Sequence, residues 1–147
     1  MSASGAVTGR ARLGRRTKQL VKRLEGGDIA VIDHVDLDRV SAEELIASGV
    51  RAVVNVAPSQ SGRYPNPGPL ALVRGGVVLV DAPGAQLFDA LADGEEITVS
   101  AEGAVTRGSG TNGHAGEVLA RGVLLDEPAL EAALAEQQAR VHDALAA

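Results

Sequence analysis

Asp28-Ile29-Ala30-Val31-Ile32-Asp33, then Ser41-Ala42-Glu43-Glu44, then Arg51-Ala52-Val53-Val54-Asn55-Val56 set out a strand, a helix start and a second strand. The two apolar runs are rich in Val and Ile and short enough to be strands. Ser41 followed three residues later by Glu44 fits a capping box, which predicts a helix from Ala42 to about Ala47, ended by Ser48 and Gly49. Toward the C-terminus the alternation continues. Leu70–Arg74 reads as a short helix closed by Gly75 and Gly76, Val77–Val80 as a strand buried on both faces, and Gln86–Leu91 as a short helix carrying Phe88.

After the Asp93-Gly94 turn the pattern changes. Glu96–Ser100 and Ala104–Arg107 read as strands joined around Glu102 and Gly103, followed by a glycine-rich loop over Gly108–Gly113 and an extended stretch over Gly116–Leu125. Asp126 can cap a final helix with Pro128 in its first turn and an apolar stripe of Leu130, Leu134, Val141 and Leu145. That helix has no C-terminal stop signal, which suggests a longer parent protein with a further domain, the alternative being a frayed natural terminus. Toward the N-terminus, Arg16–Leu24 reads as a short amphipathic helix stopped by Gly26 and Gly27. The expected organisation is a disordered basic tail over residues 1–14, an α/β domain over 15–125, and a C-terminal helix over 126–147.

The composition narrows the function classes. A chain of 147 residues can bury a real core, and with 45% apolar residues but only Tyr64 and Phe88 as aromatics that core is aliphatic. Cysteine is absent, which excludes disulfides and thiolate metal sites and fits a reducing cytoplasm. No apolar run is long enough to span a bilayer. Residues 1–23 carry seven basic side chains and no acid, while the remainder carries seven basic and nineteen acidic ones. Such an arm suits nucleic acid or anionic lipid; the plainer readings are a solubilising tail or an arm that docks on its own acidic body. The shortage of stacking aromatics argues against specific nucleic-acid binding.

The loop Ser59-Gln60-Ser61-Gly62-Arg63-Tyr64-Pro65-Asn66-Pro67-Gly68-Pro69 holds three of the six prolines and the only tyrosine. Its prolines fix φ and restrict the residues before them, so it is stiff. Arg63 offers a planar fork for phosphate or carboxylate, and Ser59, Ser61, Gly62, Tyr64 and Asn66 add hydrogen-bonding or stacking groups for a nucleotide or sugar phosphate. The other reading is that Arg63 and Asn66 bond neighbouring carbonyls and pin the loop. A second group is His34, Asp36 and Asp38, which would share a face if the strand continued and could then serve acid–base chemistry or a cation. Equally, those aspartates could bond backbone amides ahead of the helix. His114 in the glycine-rich loop and His142 on the last helix read as solvated. No metal site, cofactor motif, P-loop, dinucleotide fingerprint or nucleophile elbow is visible.

Two resemblances follow from these stretches. Arg16–Leu24, Gly27–Arg39, Ala52–Asn55 and Ser61-Gly62-Arg63-Tyr64-Pro65-Asn66 with Gly68-Pro69 resemble the N-terminal part of the actinobacterial SteA-like cytokinetic ring proteins, over residues 16–147. That resemblance implies a role in septation and cell separation, a membrane partner of the SteB type, and a following thiamin pyrophosphokinase-like domain and hydrophobic C-terminal region. The protein would be cytoplasmic and recruited to the septal membrane. More distantly, the order of elements is similar to swivelling β/β/α phosphohistidine domains, which implies a mixed, mainly parallel sheet. The phosphorylatable histidine of those domains is replaced here by Asn66-Pro67-Gly68-Pro69-Leu70, so phosphoryl carriage is not expected. Three functions remain open: a non-catalytic regulatory or scaffold domain dimerising through its last helix, the substrate-binding half of an enzyme acting on a phosphorylated ligand, and an anion-binding arm.

Overall fold

A computed structural model describes residues 5–108 and 116–146. Eight strands and five helices follow the order β1 (Val7–Leu13), α1 (Thr17–Leu20), β2 (Ile29–Ile32), α2 (Arg39–Ala47), β3 (Ala52–Asn55), α3 (Gly68–Arg74), β4 (Val78–Asp81), α4 (Leu87–Ala90), β5 (Glu96–Val99), β6 (Ala104–Arg107), β7 (Val118–Arg121), β8 (Val123–Leu124) and α5 (Glu127–Ala146). The strands are ordered β7-β6-β5-β1-β2-β3-β4-β8. The four central strands run parallel, and β5, β6, β7 and β8 join antiparallel. This mixed sheet and the 20-residue last helix are the fold class expected from the sequence.

Strand β1 is the pivot of the arrangement. Its first half, Val7 to Arg10, pairs with β5, while Ala11 to Leu13 pair with β2. The sheet therefore has two halves that share one strand, and they fold over each other. Ile29, Val31, Ala52, Val54 and Val80 from the parallel half meet Ile97, Val99 and Val105 from the antiparallel half in one core. The alternate residues Ala30, Ile32, Val53 and Leu79 meet Leu20, Leu45 and Leu72 of the helices in a second core. Successive residues face the two cores in turn, so β2 and β3 are buried on both faces and apolar up to Asn55, and the layers are β, β and α. Fully burying each such Leu or Ile contributes about 1.5–3 kcal/mol.

Four expectations are corrected. The disordered tail expected over residues 1–14 is corrected over Val7–Leu13, which is a strand within the sheet with Ala11 fully buried, while residues 1–4 lie outside the described residues. Val7, Thr8, Gly9, Arg10, Ala11, Arg12 and Leu13 alternate small or apolar residues with polar ones, which is a strand pattern. Gly9 is required there, because a Cβ would lie 2.3 Å from the Gly27 carbonyl oxygen. Helix α2 begins at Arg39 and not at Ala42, because Asp38 provides the cap ahead of Ser41. Helix α1 is one turn, shorter than Arg16–Leu24. The extended stretch over Gly116–Leu125 divides at Gly122 into β7 and β8. Most of the glycine-rich loop, with His114, lies outside the described residues.

Candidate functional site

The carboxyl ends of β2, β3 and β4 lie side by side, and in such sheets ligands bind outside those ends. The register places Ile32, Asn55 and Asp81 in one row. Asn55 closes an otherwise apolar strand and is fully buried. Its amide nitrogen donates to the His34 carbonyl at 2.8 Å, and its Oδ1 accepts from the His34 amide at 3.0 Å and the Ala57 amide at 3.0 Å. The same Nδ2 reaches Ser59 Oγ at 2.8 Å. Ser59 in turn donates to Asp81 through its hydroxyl at 2.5 Å and its amide at 3.0 Å. One buried polar row thus fixes where the proline-rich loop leaves the sheet.

The rest of the loop is held in the same way. Asn66 is 3% exposed, and its Oδ1 accepts from the Gly68 amide while its Nδ2 reaches the Ser59 carbonyl. Asp36 has φ 54, a left-handed conformation that aspartate tolerates better than most residues. Its carboxylate accepts from the amide of Ser61 at 2.7 Å and from its hydroxyl at 2.8 Å. Gly68 sits so close to the preceding loop that a Cβ would lie 2.0 Å from the Leu37 carbonyl oxygen. The 33–38 and 56–67 loops are therefore one cross-braced unit. Of the loop candidates, Ser59, Ser61 and Asn66 serve this bracing.

His34, Asp36 and Asp38 do not line one strand face, because β2 ends at Ile32. Asp38 caps α2, accepting from the Ser41 amide at 3.2 Å. The ring of His34 bridges Thr17 Oγ1 at 2.9 Å and Asp38 Oδ1 at 3.4 Å, tying α1 to the cap of α2. Burial pushes the Asp38 carboxyl up, but the Ser41 hydrogen bonds outweigh it and leave the pKa below its usual value. Asp81 goes the other way, with burial raising its pKa against the opposing hydrogen bonds from Ser59. Among the described residues no three His, Asp or Glu side chains converge as a metal ion would require.

Gly62, Arg63 and Tyr64, at the tip of the loop, form one wall of a cleft of about 340 Å³ whose other wall is Gln137, Arg140, Val141 and Ala144 of α5. Arg63 is exposed and Tyr64 is half-exposed. Gln137 is 6% exposed, and its Oε1 has no hydrogen-bond partner among the described residues. Arg140 reaches Glu136 only at 3.9 Å. Helix α5 is positioned by Leu130, which is buried, and by Arg74 of α3, whose guanidinium pairs with Glu127 at 3.1 Å and Glu131 at 2.5 Å.

The basic N-terminal segment lies on its own acidic body. Arg10 pairs with Glu25 and Asp28, Arg12 with Asp28 and Asp93, Arg15 with Asp33, and Arg23 with Asp93. Arg15 also stacks over Phe88, 4.3 Å from its ring centroid. Four of the seven charges offered for an anion-binding arm are thus already engaged with carboxylates.

Sequence reasoning missed Asn55, Asp81, Gln137 and Arg140. A signal existed for three of them. Asn55 and Asp81 are polar residues ending apolar strands, and Gln137 interrupts the stripe of Leu130, Leu134 and Val141 at helical spacing.

No family model matches this chain, and no curated protein matches it. Among solved structures it is similar to the 3-isopropylmalate dehydratase leuD of Methanocaldococcus jannaschii, with 12% identity, a TM-score of 0.49, and 94% of this chain and 98% of that one covered. It is also similar to RraAS2 of Streptomyces coelicolor, described as an unusual member of the RNase ES inhibitor RraA family, with 12% identity, a TM-score of 0.37, and 97% of this chain and 75% of that one covered. At these values neither likeness bears on function.

Proposed function

We propose that this chain is a non-catalytic regulatory or scaffold domain of a SteA-like protein of septation and cell separation. It would act in the cytoplasm and be brought to the septal membrane by a SteB-like partner. The observation that carries the reading is the bracing of the candidate loop. Ser59, Ser61, Asn66 and Asp36 direct their polar groups at one another, at Asp81 and at backbone amides, so that they are taken up in holding a rigid surface. The far half of α5 adds an apolar face, with Val141 42% and Leu145 83% exposed, suited to a second copy of the chain. Light scattering of the purified chain tests this. A dimer that Val141→Asp with Leu145→Asp converts to a folded monomer is expected, and a monomeric parent chain overturns the dimerising role.

A second reading, the substrate-binding half of an enzyme acting on a phosphorylated ligand with a thiamin pyrophosphokinase-like domain, draws on one observation. Arg63 and Tyr64 line the cleft beside α5. Turnover by the full-length protein that an Arg63→Ala variant loses while folding normally would favour it over the scaffold.

A further inference from the structure

We infer that α5 is a lever hinged at its front turns, whose rear half lifts from the proline-rich loop to pair with the same helix of a second copy. The front is fastened in several ways. Leu125 donates its amide to the Leu79 carbonyl at 2.9 Å, Asp126 caps the helix by accepting from the Ala129 amide at 3.0 Å, and Leu130 is buried. Arg74 of α3 holds Glu127 and Glu131. Beyond Glu131 no ion pair or side-chain hydrogen bond ties the helix to the body among the described residues, and Arg140 meets only Glu136 of α5 itself. Gln138 to Leu145 are exposed throughout. Clefts of about 340 Å³ and 420 Å³ open beside Gln137 and Leu134. A close-packed contact would leave no such space, so the middle of the helix is loosely seated.

Between Glu131 and Leu145 the only buried residue is Gln137, and its Oε1 has no hydrogen-bond partner. A buried amide oxygen left unpaired is costly. Lifting the helix gives that oxygen water. What lifting forfeits is the partial cover of Leu134 and Val141, and Val141 is already 42% exposed. The two positions are therefore close in free energy. The helix can move as one body, since it has no glycine and no proline after Pro128 and is rich in alanine. At 1.5 Å per residue, a rotation of about 15° about Leu130 moves Gln137 by about 3 Å, enough to admit water, and Leu145 by about 6 Å. Leu130, Leu134, Gln137, Val141 and Ala144 recur at alternating spacings of four and three, which is the spacing of a coiled-coil seam. Docked, the helix turns Leu134 and Gln137 to the body and offers only its end. Lifted, it offers the seam from Leu134 onward. An amide both donates and accepts, so the Gln137 side chains of two copies can satisfy one another, as one polar residue in such a seam fixes its register. A second copy thus binds the lifted position better and shifts the population toward it.

The pairing rests on the dimerising role proposed above, whereas the lifting rests on the seating of α5 alone. The chain has no cysteine, so nitroxide labels at Ala47→Cys and Asp143→Cys, both exposed positions, attach to α2 and to the far end of α5 only. Pulsed electron spin resonance of the whole chain then reads the distance between them. The dilute monomer should show two distances, and an excess of unlabelled chain should leave mainly one. Gln137→Met removes the unpaired amide and keeps the helix docked, so it should retain only the other. Sedimentation should show self-association of Gln137→Met weakened by about tenfold or more. A single distance, the same in the parent and in Gln137→Met, overturns the lever. Self-association equal in the two overturns the pairing given to Gln137. Two distances in a chain that stays monomeric at every concentration remove the dimerising role and the second copy, and leave the hinged helix standing.

Discussion

Ser59 and Asp81 hold one another through two hydrogen bonds, hydroxyl to Oδ1 at 2.5 Å and amide to Oδ2 at 3.0 Å. The pair ties the loop after β3 to the last residue of β4, across the edge of the polar row that Asn55 completes. Ser59 is fully buried, so no water can replace its hydroxyl without the loop moving.

Replacing Ser59 with Ala is therefore expected to cost about 1–3 kcal/mol, the range for leaving buried polar partners unmade. Urea unfolding measures this. Carboxyl titration by NMR should show the Asp81 pKa, already raised, moving higher still, because the hydrogen bonds that oppose its burial are weakened.

Asp38 and Asp81 carry opposite pH dependences. The Asp38 pKa is below 3.8 in the fold, so its contribution is present above that value and lost as pH falls through the folded-state pKa. The Asp81 pKa is above 3.8, so its contribution is present below that value and lost as pH rises through the folded-state pKa. Asp38→Ala removes the α2 cap and should cost about 1 kcal/mol at neutral pH. Asp38→Asn keeps an acceptor at the cap, and its stability relative to the parent should improve as the buffer is taken below pH ~4. Thermal melts across that range decide the sign.

Deleting residues 1–13 should prevent folding. Strand β1 bridges β2 and β5, and without it both halves of the sheet lose a partner and the buried Ala11. A deletion variant with native circular dichroism and a cooperative melt would contradict the sheet order.

The strands most legible in the sequence were those buried on both faces. Ile29–Ile32 and Ala52–Val54 are uninterrupted apolar runs, which few other structures explain. Strand β1 was hidden because its arginines and glycine look like a tail, and their acidic partners Glu25, Asp28 and Asp93 are distant in sequence. Of the candidate site, the stiffness of the loop was readable from its prolines. Which polar groups would brace it was not, since Asp36 reaches Ser61 only because its own backbone turns left-handed. The far wall of the cleft was invisible for the same reason: Arg140 meets Arg63 through tertiary packing alone.

Gln137→Met should stabilise the chain by about 1 kcal/mol, since it replaces a buried unpaired amide with an apolar chain of similar length. Differential scanning calorimetry would register this as a rise of a few degrees in Tm. A fall of similar size would mean that Gln137 has a structural partner.

Strands β7 and β8 stand at opposite ends of the strand order, yet only Gly122 separates them in the chain. Its amide bonds the Gly103 carbonyl at 3.0 Å, and a Cβ at Gly122 would press on Val80 and on the Asp81 carbonyl oxygen. The two margins of the sheet are thereby sewn together through a single residue, so a strand peeling from either one pulls on the other. Fraying that starts at one border is thus coupled at that seam to the opposite border.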